Sequence, residues 1–167
     1  MKISFPLLYV RAFFAVSVAL ILGSATAHEP MDWNGDIVHV LLDKEGTGGD
    51  MGIFTVETSA PGGPGRHVHD DAGEAFYLLS GQVEVLVGEE LFVVEAGESA
   101  FVPKGMEHTF RFLSEDGGKI IVIVTPGGFE GFFEATKHLS IPEDMEEIET
   151  ISADYAQRFT GPPLGAE

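Results

Sequence analysis

The sequence predicts an all-β chain closed into a sandwich or barrel. Three observations lead there. Short runs rich in β-branched and aromatic residues recur about every 8–12 residues from residue 36 to residue 125. Gly, Pro, Asp and Ser clusters divide them. Between residues 30 and 125 no stretch keeps a helical period over a useful length. Closure of an antiparallel barrel would also remove exposed strand edges.

The runs follow in order. Asp36-Ile37-Val38-His39-Val40-Leu41-Leu42 reads as a first strand, Gly46–Asp50 as a turn cluster, and Gly52–Thr58 as a second, alternating strand. Pro61-Gly62-Gly63-Pro64-Gly65 is a rigid loop that leads into His67 and His69. Further strands are expected over Glu74–Leu79, Val83–Val87, Leu91–Val94, Ser99–Val102, Thr109–Leu113 and Lys119–Thr125, with turns at Ser80-Gly81, Gly88–Glu90 and Ala96–Glu98. The C-terminal part changes character. Phe129, Phe132 and Phe133 stand at i, i+3 and i+4, one face of a short helix. That stripe either packs on the barrel or closes over a ligand cavity. Pro142 opens a second helical reading, with Glu143, Asp144, Glu146 and Glu147 where the helix dipole favours acids. Ile148, Ile151, Tyr155 and Phe159 continue at helix-compatible intervals, as two helices or one with a break, until Gly161-Pro162-Pro163.

Residues 1–27 read as a cleavable export signal. Lys2 and Arg11 give a basic start, Ala12–Leu22 is an uncharged apolar run, and Ala25-Thr26-Ala27 is a small-x-small cleavage site. The apolar run is shorter than the roughly 20 residues a membrane span needs. The expectation is a periplasmic or secreted domain without a stable span after cleavage. Net charge is −18, from 9 basic and 27 acidic residues. Such a chain repels nucleic acid and anionic lipid at long range, and suits a small neutral or apolar ligand. With no cysteine there can be no disulfide framework, thiolate metal site or cysteine nucleophile.

The chemistry concentrates in His67-x-His69-x4-Glu74 and His108. Residues i and i+2 of a strand face the same way, so His67 and His69 project together. Asp70–Gly73 turns the chain, and Glu74 begins the next strand. Pro103-Lys104-Gly105 turns again before His108. Three imidazoles and one carboxylate are a complete ligand set for one divalent transition metal: Fe, Mn, Ni, Co, Cu or Zn. Burying them without an ion would cost desolvation without a compensating partner. On a six-coordinate ion they leave two positions open, the mark of a reactive rather than a closed structural site.

These residues resemble the two motifs of the cupin superfamily. Gly62, His67, His69, Glu74 and Gly81 follow the first, with the leading Gly one residue off the usual spacing. Gly97, Pro103, Gly105 and His108 follow the second at every interval. The stretch from Pro61 to Phe133, with Thr125-Pro126-Gly127-Gly128-Phe129 and the closing Gly161-Pro162-Pro163, is similar to the quercetin-dioxygenase-like group of single-domain cupins. The resemblance implies a double-stranded β-helix, or jelly-roll barrel, with short C-terminal helices. Residues 1–27 would be the signal, 28–58 the N-terminal strands, 59–125 the barrel with its metal site, and 126–167 a helical segment and tail. It also implies a homodimer through shared strands, and Glu74 as both ligand and proton acceptor in catalysis. One departure stands out: where the second motif often ends in Asn, this chain has Phe112. Parity places Phe110 and Phe112 with His108, and Phe76 and Leu78 with Glu74. These four residues either line an apolar substrate pocket or fill the barrel. The expected activity is metal-dependent dioxygenation of a small aromatic or enol-bearing compound. Isomerase or decarboxylase chemistry and simple ligand or metal holding are the alternatives.

Overall fold

A computed structural model describes residues 28–166; the expected signal segment lies outside the described residues. Eleven strands form two antiparallel sheets. Strands β1 (Met31–Trp33), β2 (Asp36–Leu42), β3 (Gly52–Thr58), β5 (Gly73–Ser80), β8 (Ser99–Val102) and β10 (Gly118–Thr125) make the first, in the order β1-β2-β3-β10-β5-β8. Strands β4 (Gly65–His69), β6 (Gln82–Val87), β7 (Glu90–Glu95), β9 (His108–Phe112) and β11 (Gln157–Pro163) make the second, in the order β11-β4-β9-β6-β7. Two facing antiparallel sheets with crossing connections are the jelly roll.

Alternation explains the core. Along β2, β5 and β6 every second residue turns inward, so Val38, Phe76, Leu78, Val83 and Val85 are buried. They meet Phe54, Phe112, Ile120 and Val122 from neighbouring strands in one apolar cluster. Phe112 belongs here. Its ring fills the space that a Cβ on Gly118 would need, and its backbone bridges to Gly62. The Asn seen in related motifs is thus replaced by a core residue.

Three elements differ from the sequence expectations. Strand β1 was not expected. Asn34 and Gly35, at φ 54° and 92°, form the two-residue turn that joins it to β2, with Trp33 opposite Asp36. Positive φ at both turn residues matches the twist of the flanking strands. The turn cluster near Gly46 contains a short helix, α1 (Lys44–Thr47). Asp43 caps it by accepting from the Gly46 N–H, and Gly48 ends it in the left-handed region. The third difference is at the C-terminus, where the helix does not continue through Tyr155 and Phe159. Helix α2 (Gly131–Thr136) carries Phe132 and Phe133, and α3 (Met145–Asp154) starts three residues after Pro142, because Asp144 and Ser140 close a turn there through two hydrogen bonds. Ala156 then adopts φ 53° and redirects the chain into β11, which pairs with β4. Phe159 and Gly161–Pro163 are therefore strand residues. The prolines are tolerated because β11 is an edge strand, where a missing N–H faces no neighbour.

Helices α2 and α3 cover one mouth of the barrel. Phe132 stacks on Phe129 with centroids 5.6 Å apart, Phe133 meets Phe54 at 5.0 Å, and the Trp33 indole N–H donates to Thr136 Oγ1 at 2.9 Å. Ile148 of α3 is fully buried beneath them. No helix among the described residues is long and apolar enough to cross a membrane.

Candidate metal centre

The expected ligands converge. His67 and His69 leave β4 on one face, and His108 opens β9 directly opposite His67, with ring centroids 4.3 Å apart. Glu74 comes from the other sheet, on β5. The β8–β9 loop delivers His108 because the Gly105 N–H donates to the His69 carbonyl at 2.9 Å. Gly105 sits at φ 76°, which favours glycine. One ligand atom from each of the four residues lies within 4.8 Å of the other three, and all four side chains are buried.

Hydrogen bonds set the ring orientations. His67 Nδ1 lies 2.8 Å from the Gly65 carbonyl, and His108 Nδ1 lies 2.9 Å from that of Met106. A carbonyl only accepts, so each Nδ1 carries the proton and each Nε2 is turned to the centre. This is the usual support of a metal-binding imidazole. His108 Nε2 is 2.7 Å from Glu74 Oε2. His69 differs: only 2 % exposed, it has no hydrogen-bond partner among the described residues on either ring nitrogen, and its Nε2 is 3.8 Å from Glu74 Oε2. A buried polar group without a partner is costly. A divalent ion among these four donors fits the set and would satisfy His69, so the residues suit the metal that the motif implies.

The local charges divide. Burial, then the neighbouring His108 and His69, lower the pKa of His67 from 6.5 to about 3. Burial also lowers His69. Burial pulls His108 the same way, but its hydrogen bond and attraction to Glu74 outweigh this and raise it. Burial would raise Glu74, yet the His108 hydrogen bond and the surrounding imidazoles bring it below the usual carboxylate range. The Glu74–His108 contact thus favours the charged forms of both groups, while burial favours neutral His67 and His69. A metal takes the neutral imidazole, so its binding would compete with a proton on His108.

A cavity of about 640 Å³ opens beside this cluster, bordered by His67 and Glu74. Its walls include Trp33, Phe54, Phe110, Phe129, Phe132 and Phe133. Of the four expected pocket residues only Phe110 lines it. Phe76, Leu78 and Phe112 are packed in the core instead, since inward parity does not separate depths along the barrel. The Phe129/Phe132/Phe133 stripe packs against the barrel and also forms cavity wall, and the Phe129 ring touches His69 at a centroid distance of 4.3 Å. Sequence reasoning missed Gln157 and Phe159, which β11 sets opposite His69 and His67. The alternation Gln157-x-Phe159-x-Gly161 was the available signal.

Comparison with known proteins agrees with this geometry. The cupin domain family model matches residues 52–124, which hold all four ligands. The described residues have the cupin fold. The chain is 28% identical over 76 residues to an uncharacterized protein of Streptomyces coelicolor, covering 46% of this chain and 69% of that one. It is 25% identical over 99 residues to the polyketide synthase CurC of Streptomyces cyaneus, covering 59% of this chain and 64% of CurC. Among solved structures, KdgF from Halomonas sp. superposes with a TM-score of 0.54 at 19% identity, covering 60% of this chain and 88% of that one. That likeness is one of fold.

A pH prediction follows for the metal-free cupin. His67 has a folded pKa of about 3 against about 6.5 when unfolded. Below pH 6.5 the unfolded chain takes up a proton that the folded chain refuses. Stability associated with His67 is therefore full above pH 6.5 and is lost as the pH falls towards 3. In urea unfolding, the advantage of wild type over His67→Gln should shrink from pH 7.5 to pH 4. An advantage independent of pH would contradict the neutral, buried imidazole.

Proposed function

We propose that this cupin is an exported, metal-dependent oxygenase that dioxygenates a small aromatic or enol-bearing compound. The observation that carries the reading is the cavity: its walls are aromatic, and its edge is formed by His67 and Glu74. A planar ligand seated there packs on Phe54, Phe110 and Phe133 while one oxygen reaches the ligand cluster. Rings of this kind bind by area and by offset or edge contacts. Bound among His67, His69, Glu74 and His108, a divalent transition ion supplies Lewis acidity toward an enolate oxygen and, if redox-active, a route for electrons to O2. Glu74 is held ionised and stands at the cavity edge, where it can accept the proton of an enol hydroxyl. The buried apolar walls keep bulk water from the reacting oxygen.

The partial likeness to a protein named for polyketide synthesis supports an enol-bearing ligand, since polyketides contain 1,3-dicarbonyl units that enolise readily. Export rests on residues 1–27 alone. Assembly as a homodimer through shared strands is part of the same proposal, and light scattering on the purified chain tests it.

The test is oxygen consumption by the metal-loaded chain against a panel of enols and flavonoids. Uptake of one O2 per ligand consumed is the expected result, with Glu74→Gln losing most of it. Turnover that continues without oxygen would instead assign isomerase or decarboxylase chemistry. Tight binding without turnover would make the protein a ligand holder. Full activity and full metal content in Glu74→Gln would remove the proton-accepting role.

A further inference from the structure

Strand β11 lies outside residues 52–124, the part of the chain that matches the family. It nevertheless brings two side chains to the centre. Antiparallel pairing sets Gln157 opposite His69 and Phe159 opposite His67, and residues directly opposite on such a pair project from the same face. The Phe159 ring stands 6.3 Å from that of His67. Gln157 is only 3 % exposed and borders the cavity. Its Nε2 makes one long contact, 3.4 Å to Ser152 Oγ.

A side-chain amide has two donor hydrogens and an acceptor oxygen, and buried amides ordinarily use them. The remaining wall explains which ligand would do so. Its charged side chains are the carboxylates of Asp36, Glu74 and Glu149, and no Lys or Arg borders it. An anionic ligand group therefore finds no side-chain counter-charge there. An uncharged oxygen beside Gln157 finds its amide.

We propose that Gln157 determines specificity. Its amide hydrogen-bonds an uncharged hydroxyl or carbonyl oxygen of an aromatic ligand whose ring packs against the phenylalanine wall. This rests on the aromatic-ligand reading above but not on oxygen chemistry. A purely structural role would be to tie β11 to α3 through Ser152, and Ser152→Ala removes that tie while keeping the amide.

The test uses the full chain, carrying the divalent ion it retains on purification. Binding of 2-naphthol and of naphthalene, which differ by one hydroxyl, is measured by fluorescence titration. Wild type should bind 2-naphthol more tightly. Gln157→Leu should weaken 2-naphthol about tenfold, the effect of one lost hydrogen bond, and leave naphthalene and metal content unchanged. Ser152→Ala should leave both affinities in place. Equal losses for both probes in Gln157→Leu would make the residue a packing element and overturn the proposal, as would an unchanged 2-naphthol affinity. If wild type binds neither probe, the aromatic-ligand reading itself falls and takes this inference with it.

Discussion

Elemental analysis of the purified chain should return about one equivalent of a divalent transition metal, and a His69→Ala/His108→Ala double variant none. The four donors are gathered, buried and oriented for one ion. Losing two of them leaves His67 and Glu74 on opposite sheets. Loading should also raise stability in wild type alone: at a metal concentration 100 times Kd the gain is about 2.7 kcal/mol, roughly 5–10 °C in Tm for a domain of this size. His69→Leu sharpens the test. Because neither ring nitrogen of His69 has a hydrogen-bond partner among the described residues, replacing it breaks no such bond, so the metal-free variant should match or exceed wild type by about 1 kcal/mol. A His69→Leu protein that still binds one equivalent would remove His69 from the ligand set. A substantially destabilised metal-free variant would show that His69 supports the fold in its own right. Fe, Mn, Ni, Co or Cu in wild type favours the oxygenase reading, and Zn alone favours the isomerase or holding alternatives.

Phe132→Ala should be among the most damaging single substitutions in the apolar part of the molecule. Phe132 is 1 % exposed and contacts Trp33, Phe129, Phe133 and Tyr155. Truncating such a ring costs about 3–5 kcal/mol, from lost transfer energy and the cavity left behind. That is roughly 10 °C or more in Tm. The loss would also loosen α2 and so the wall formed by Phe129 and Phe133. Phe101→Ala is the control, since that ring is 62 % exposed on β8, and it should change stability by no more than about 0.5 kcal/mol. Urea unfolding of both variants measures the difference. A cost near that of Phe101→Ala would mean that α2 rests on the barrel without contributing to its core.

The Phe132 prediction depends on how α2 packs on the barrel, which local sequence conveyed less well than the strands. The strands from Asp36 to Thr125 were legible because alternation with a period of two carries its own direction. Asp36–Leu42, Gly52–Thr58 and Ser99–Val102 form as expected, and the spacing of His67, His69 and Glu74 placed their side chains on inner faces. Asn34-Gly35 is a hairpin signal, but the run before it, Met31-Asp32-Trp33, is too short to show alternation. The ring spacing of Phe129, Phe132 and Phe133 marked the helix that carries Phe132 and Phe133, with Phe129 in the turn before it, yet it could not say that the same rings would wall a cavity.

What the sequence alone determined is therefore the all-β character, the inward direction of the strand side chains and the identity of the four candidate ligands. The first two depend on residues only a few positions apart, where backbone geometry dictates which way a side chain points, and the ligands on two short motifs, Gly62 to Gly81 and Gly97 to His108. The tertiary structure decided the rest. Ile148, Ile151, Tyr155 and Phe159 are compatible with one helix, but pairing of Gln157–Pro163 with Gly65–His69, some 90 residues away in the chain, makes the end of that run a strand. Phe110 borders the cavity while Phe76, Leu78 and Phe112, of equal inward parity, do not. Their roles differ because depth in a barrel is set by which distant segments cap it, and no local period encodes that.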